Sequence, residues 1–452
     1  MTIAKDIFGT SNSPQVIMIV ILFTIMTGAF GYVNWSFSEK FYLKASSVIL
    51  ITLFVIWGKP KVKLNFQHPV LALAFLPFLS VIYSYTEYHQ PVFDGLNATL
   101  PSLIWLLYFF LHRWKVQEST VMHTFFYIAF FVAAVQIIQQ FTYPFVLFGV
   151  PSEDELAAGE ELASQRNGLW RFHIGNNAYF TAPVLFAIWV KLNEKFSVRE
   201  TILFIVLLVS VYLTLTRQII FSVMLTLITF YVIYKKKVNA WGVMFGVVLM
   251  TIIYQYADIL FGEFIAITQE DSTKNYIRIL AAQYFWNESI SSVSSFLLGH
   301  GMPASGAFAR LSETLKENYH YYVSDVGFIG MIWRFGLPYV LICYSIFYRI
   351  FITFRKKIPP YIRMFVMFTV IMSIMIFPMH RPLQYIIWCF LLYICDLSIN
   401  PTLKPEEEQQ GKAPDSIPTY KGRRPWTSAE MFILKEIRKR KQQERTDKKY
   451  DE

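Results

Sequence analysis

The chain has 452 residues, of which 55% are hydrophobic and only 16% charged, with 42 Phe, 27 Tyr and 11 Trp. A water-soluble fold does not hide that much apolar surface, so part of the solvent is lipid. The net charge of +10 does not require nucleic acid, because Lys and Arg collect in the cytoplasmic loops of polytopic proteins.

About 20 helical residues cross a bilayer core. The apolar runs predict twelve spans, near 14–34, 41–58, 69–86, 97–112, 120–146, 178–193, 200–216, 218–234, 241–260, 323–351, 362–379 and 383–399. The first run lacks a small-residue cleavage site and is long enough to span, so no cleavable signal peptide is expected. Basic clusters fall in alternate connections: "KPKVK" (59–63), "HRWK" (112–115), "KLNEKFSVR" (191–199), "YKKK" (234–237) and "FRKK" (354–357). The other connections are acidic or polar, which predicts both termini on the cytoplasmic side. Two of them form outer loops, 151–177 and 261–324, and helical pieces are expected near 274–287 and 304–318. Cys343, Cys389 and Cys395 all lie in apolar runs and indicate neither a disulfide framework nor a metal cluster.

The tail, 401–452, opens with a Pro, Glu, Gln and Lys stretch that reads as a partly disordered linker. It ends in "WTSAEMFILKEIRKRKQQERTDKK" (426–449), which suits a helix on anionic lipid or a charged tail without a partner.

Arg217 interrupts an apolar run in "VYLTLTRQIIFSVMLTLITFYVIYKKK", at the outer edge of the membrane in this topology. One reading is an anchor snorkelling to the headgroups. The other is an anion site, since guanidinium stays charged and its fork suits phosphate oxygens. Arg166, Arg171, Arg278 and Arg310 also fall outside, against the usual bias, among Trp170, Trp286, Tyr319, Tyr321 and Tyr322. Arginines hold phosphates and aromatic faces stack on sugars, so the mixture suits a glycan carried on a lipid pyrophosphate. For any single ring, the interfacial aromatic belt is the plainer account. Arg334, with Gly336 and Pro338, is expected to mark a break in the tenth span. His300 reads as a turn residue, His380-Arg381 as an interface anchor, and Asp396 as a headgroup-level residue.

The order of motifs resembles the bacterial O-antigen polymerase and O-antigen ligase superfamily. "LTLTRQ" resembles its Thr/Ser-Arg motif. An arginine helix from Arg278 to Trp286 then opens the large outer loop, "LLGHG" resembles the Gly-x-Gly, and "HYYVSDVGFIG" closes the pattern. The resemblance covers about residues 160–350. Many members have His-Asn where this chain has His320-Tyr321, and Gly327 and Gly330 follow about one helical turn early.

The resemblance implies an all-α, GT-C-like polytopic protein of the bacterial inner (cytoplasmic) membrane, with about twelve transmembrane helices and one outer loop domain. It implies a glycosyltransferase that moves a glycan from undecaprenyl pyrophosphate to an acceptor hydroxyl on the outer face. Arg217, Arg278, Arg171 and Arg310 would hold the pyrophosphate. Trp286, Tyr319 and Tyr322 would meet sugars. His320 or Asp325 would serve as base, or Asp325 would cap the tenth span. No metal and no cofactor are required, since arginines neutralise the leaving group. Polymerisation of lipid-linked repeats is favoured over ligation to lipid A core, because "SDVG" departs from the His-Asn ending. Partners would be the lipid-linked oligosaccharide, the bilayer and other polysaccharide-assembly membrane proteins. A lipid-linked oligosaccharide flippase is the alternative of another class; most spans lack the mid-membrane charges that transport sites use.

Overall fold

In the computed structural model, residues 39–58, 63–146, 148, 163–166, 168–172, 177–234, 276–377, 379 and 381–403 are described. The expected spans 14–34 and 241–260, and tail residues 404–452, lie outside them. The described chain is mostly helical. Five helical stretches are long and apolar enough to cross a membrane: Gln67–Tyr88, Val92–Trp114, Glu118–Thr142, Val323–Thr353 and Pro382–Ile399. Lys44–Trp57, Arg217–Tyr231 and Pro360–Met372 are shorter apolar helices.

Helix α1 (Glu39–Trp57) is followed by two spans that are not single α-helices. The first runs as α2 (Gln67–Phe75), a 3-10 segment (Leu76–Leu79) and α3 (Ser80–Tyr88). The second runs as α4 (Val92–Thr99), a 3-10 segment (Leu100–Leu106) and α5 (Leu107–Trp114). Each interruption holds a proline, Pro77 or Pro101, which has no N–H for the carbonyl one turn back. Helix α6 (Glu118–Thr142) leads to a short antiparallel hairpin, β1 (Ala163–Arg166) and β2 (Leu169–Phe172), which no sequence pattern announced. Helices α7 (Asn177–Glu194), α8 (Val198–Tyr212) and α9 (Arg217–Tyr234) then run back and forth on short turns.

Beyond residue 275 come α10 (Ile277–Ser289) and α12 (Gly306–Glu317), matching the two expected helical pieces, and between them the unanticipated α11 (Val293–Leu298). They lead into α13 (Gly327–Tyr348), α14 (Pro360–Met372) and α15 (Pro382–Ile399). Helix α15 is buried along nearly its whole length, so its all-round apolar character reflects protein neighbours on every side and not lipid. Trp105, Trp388 and Tyr393 are among the largest side chains it helps to enclose.

One end of the bundle is tied by Asp396. Its Oδ1 accepts from the Asn65 backbone N–H at 3.0 Å and from Asn65 Nδ2 at 2.8 Å. Its Oδ2 accepts from the Tyr108 hydroxyl and stands 3.3 Å from His112 Nε2. Arg349 closes the group by donating to the Asn65 carbonyl at 2.8 Å. Asp396, expected at headgroup level, is 0% exposed and enclosed by protein. A buried carboxylate needs such donors to replace water, and here two segments distant in sequence, the stretch at Asn65 and helix α5, supply them.

The break in α13 falls where expected. Gly336 is non-helical (φ 78°, ψ 166°) and Pro338 follows it. Two carbonyls lose their helical donors there, Arg334 because Pro338 has no N–H, and Trp333 because the chain turns away. The loop after α11 satisfies both: His300 N–H donates to the Trp333 carbonyl at 2.6 Å and Gly301 N–H to that of Arg334 at 2.8 Å. A Cβ on Gly336 would meet the Leu297 carbonyl oxygen at 2.1 Å, and one on Gly299 the Arg334 carbonyl oxygen at 2.5 Å. The loop therefore lies directly on the broken helix.

Candidate functional site

The helix starts at the opposite end of the bundle carry the arginines. Tyr179, at the start of α7, meets Phe368, near the end of α14, at 5.8 Å between ring centres. The end of α14 touches the start of α13, where Gly327 N–H donates to the Met375 carbonyl at 2.9 Å and Phe328 N–H to that of Ser373 at 3.1 Å. Short turns bring the start of α9 to this same end.

Arg217 is the first residue of α9, Arg278 the second of α10, and Arg381 the N-cap of α15. None of these three helices has an acidic residue in its first turn. Helix N-termini carry partial positive charge and ordinarily attract acids. Arginines placed there add to the positive field, an arrangement that favours an anionic ligand. Sequence reading named Arg217 and Arg278 as anion-site candidates and Arg381 as an interface anchor, but not their shared position at helix starts, because helix starts inside apolar runs are not marked by composition.

Arg278 and Asp325 are brought together, with Nη2 3.6 Å from Oδ2. Asp325 Oδ1 also accepts from the Ser324 hydroxyl at 3.1 Å. Asp325 does not cap α13, whose N-cap is Val326 with no side-chain hydrogen bond. Close packing at the start of α13 holds as expected: a Cβ on Gly327 would meet the Ile374 carbonyl oxygen at 2.3 Å.

Arg217 follows a tight turn in which Leu215 takes φ 47°, a strained conformation for a branched side chain. Thr214 and Thr216 brace the turn, their hydroxyls donating to the Val211 carbonyl at 2.8 Å and the Thr214 carbonyl at 3.1 Å. Helix α9 packs on α14 and α10 on α13, so Arg217 and Arg278 approach from different neighbours. Arg171 sits on β2 opposite Ser164. The hairpin is fixed to the end of α6, where Gln140 donates to the Trp170 carbonyl and accepts from its N–H, and Tyr143 stacks on the Trp170 ring at 3.8 Å. Arg217 and Arg171 are both engaged with neighbouring groups. Arg310 is exposed on α12.

His320 ends α12. Its φ is 55°, and its N–H donates to the Lys316 carbonyl at 3.1 Å, the left-handed helix-closing motif usually given to glycine. Its side chain is exposed. The rings around it form a chain, Tyr319 to Tyr321 at 5.7 Å and Tyr321 to Tyr284 at 5.9 Å. Tyr319 is 55% exposed, Tyr322 44% and Trp286 38%, so their faces are open to a ligand. Burial, with the Glu288 carboxylate next, pushes the Tyr284 hydroxyl above its ordinary pKa.

His300, read from sequence as a turn residue, is a buried hub. Its ring stacks on Trp333 at 5.0 Å and meets Tyr83 edge-on at 5.0 Å. Nε2 lies 3.3 Å from the Glu288 carbonyl and Nδ1 2.6 Å from the Tyr88 hydroxyl. A carbonyl only accepts, so Nε2 carries the hydrogen and Tyr88 donates to Nδ1. Burial lowers the His300 pKa to about 4, so the ring stays neutral. Only the chain partners, 212 residues away in the case of Tyr88, reveal this role.

Among the described residues no group of His, Cys, Asp and Glu is placed to hold a metal ion. Neither a protein-family model nor a curated protein matches the sequence.

Proposed function

We propose that the chain is a membrane glycosyltransferase that joins oligosaccharide repeats carried on undecaprenyl pyrophosphate, without a metal, on the outer face of the bacterial inner membrane. The reading includes twelve spans, cytoplasmic termini and an outer domain built from residues 261–324. The observation that carries it is the Arg278–Asp325 pair at the arginine-bearing end of the bundle, with exposed Tyr319, Tyr322 and Trp286 in the same segment of chain.

Both members of the pair are about one third exposed, 32% and 35%, and such pairs contribute only about 0–1 kcal/mol. A pyrophosphate, offering bidentate charge-assisted bonds, displaces Asp325 from Arg278. Donor binding thus frees the carboxylate when a base is needed. Asp325 then takes the proton of the acceptor hydroxyl as that oxygen attacks the anomeric carbon. The bond from that carbon to the pyrophosphate oxygen breaks, and its electron pair leaves with the phosphate held by Arg278 and Arg217. Positioned cations act most strongly on charge that develops away from water. Arg171 and Arg310 widen the positive field, and the open tyrosines and Trp286 receive sugar rings.

The test is Asp325→Asn and Arg278→Gln, each brought to wild-type membrane abundance, with the glycan resolved on gels in a strain lacking the native chain. Each is expected to lower polymer formation by about 10²-fold or more, leaving single capped repeats. Full-length polymer from Asp325→Asn rules it out as base, and unattached long chains in the deletion strain point to ligation.

A further inference from the structure

The end of the bundle tied by Asp396 holds a cleft that the proposed transfer does not use. Its volume is about 250 Å³, and it lies between α1 and the span that ends in α5. Leu50, Leu53, Phe54 and Trp57 line it from α1, at the spacing i, i+3, i+4, i+7. Leu106, Phe109, Phe110 and Arg113 line it from the other span at the same spacing, so each helix turns one continuous stripe to the cleft. Ring contacts keep the stripes in step: Phe54 meets Phe109 at 5.3 Å between centres, and Trp57 stacks on Phe110 at 5.9 Å.

The stripes run in the same direction, so both helices end at the mouth of the cleft, at Gly58 and Arg113. Gly58 keeps the mouth open, since a Cβ on it would meet nothing within 4 Å. Arg113 is the charged residue of the lining, is exposed, and has no ion pair among the described residues. The tie at Asp396 sets further cations at this end. His112 stands 3.3 Å from Asp396 Oδ2, and the Asn65 N–H donates to Oδ1 at 3.0 Å. Lys63 and Lys115 lie close in sequence to these two anchors, and both are exposed without an ion pair among the described residues.

Leu106 is seven residues before Arg113, roughly 10 Å at 1.5 Å per residue, so the cleft descends from a cation to an apolar floor. Val55 and Ile56, also on α1, are exposed, and in a bilayer their solvent is hydrocarbon. An apolar slot beneath an unpaired cation fits an amphiphile with a negatively charged head. An arginine that only anchors a helix by snorkelling needs no cleft beneath it.

We propose that this cleft binds an anionic phospholipid of the bilayer, with one acyl chain between the two aromatic stripes and its phosphate on Arg113. Lys63 and Lys115 add the positive field that selects an anionic head over a zwitterionic one. The Arg278–Asp325 pair belongs to the other end of the bundle, so the site stands whether or not the chain transfers glycans.

The test uses the full chain, purified in detergent, with bound lipids counted by native mass spectrometry. The added probes are phosphatidylglycerol, phosphatidylcholine with the same chains, and farnesyl pyrophosphate. The wild type should carry one phosphatidylglycerol adduct in roughly tenfold or greater excess over phosphatidylcholine. That adduct should fall by a similar factor in Arg113→Gln and in Leu53→Trp, which fills the cleft, and by less in Lys63→Gln. It should persist in Arg278→Gln, which separates this site from the proposed transfer. Arg113 is exposed, so Arg113→Gln keeps the test decisive even where Leu53→Trp fails to fold. Equal binding of phosphatidylcholine, or a phosphatidylglycerol adduct untouched by Arg113→Gln, overturns the site and leaves Arg113 an anchor. An adduct formed with farnesyl pyrophosphate alone overturns the phospholipid assignment in favour of a prenyl carrier. A wild type with no lipid adduct also overturns it, and the cleft then belongs to another part of the chain or to a second copy.

Discussion

His320 and Asp325 are five residues apart in sequence, but their physical situations differ. His320 holds a left-handed backbone that costs a non-glycine residue roughly 1–2 kcal/mol, so glycine there keeps the end of α12 intact. His320→Gly is therefore expected to leave the thermal midpoint unchanged or raise it. If the imidazole only closes the helix, the glycine variant still makes polymer at the wild-type rate. If it is the base, the folded variant makes none, and the role assigned to Asp325 fails. His320→Ala is a weaker test, because alanine keeps the backbone strain while losing the ring. Residue identity alone did not separate the two candidates: the sequence offers both, and only the Arg278 contact and the backbone of His320 divide them.

At the scale of elements, apolar length marked helices well, and five of the expected spans are stretches long and apolar enough to cross a membrane, since hydrocarbon thickness sets helix length whatever the packing. The ten expected spans within the described residues all contain helix. Interruptions were less legible. Pro338 announced its break because Gly336 stands beside it, whereas Pro77 and Pro101 tighten into 3-10 turns that leave the apolar pattern intact. The 163–172 hairpin was missed because Gln140 and Tyr143 hold it from another element, and hydropathy says nothing of that. The partners of Asp396 were not legible for the same reason. The break at Gly336 yields a direct prediction. Gly336→Ala combines a positive φ with a Cβ 2.1 Å from the Leu297 carbonyl oxygen, so it should cost more than about 2 kcal/mol. A lowered thermal midpoint should accompany faster proteolysis between α11 and α12, whereas wild-type behaviour in both would mean that the loop does not rest on the broken helix.

Across the molecule, the helices of the bundle share one large apolar core, while α10, α12 and the start of α13 share a smaller one around Phe285, Phe308 and Trp333. A small core gives modest stability alone, so the attachment of these helices to the bundle depends on specific joints. His300 is the chief joint: Tyr88 and Tyr83 reach it from α3, the Glu288 carbonyl from α10, and Trp333 from α13. That joint requires a neutral ring, since a proton on Nδ1 would face the Tyr88 hydrogen and force the hydroxyl to turn. The folded pKa of about 4 lies below the unfolded value of about 6.5, so the unfolded chain binds the proton first as pH falls. The stabilisation is complete above pH 6.5 and is lost as pH falls through 4, by about 3 kcal/mol in all. Thermal midpoints measured from pH 7.5 to 4 should therefore drop for the wild type. In His300→Phe, which keeps a ring on Trp333 but cannot titrate, the lower midpoint at pH 7.5 should fall less steeply across that window. Parallel curves for the two proteins would mean that the acid sensitivity arises elsewhere and that the neutral His300 ring is not what ties α3 to α10 and α13.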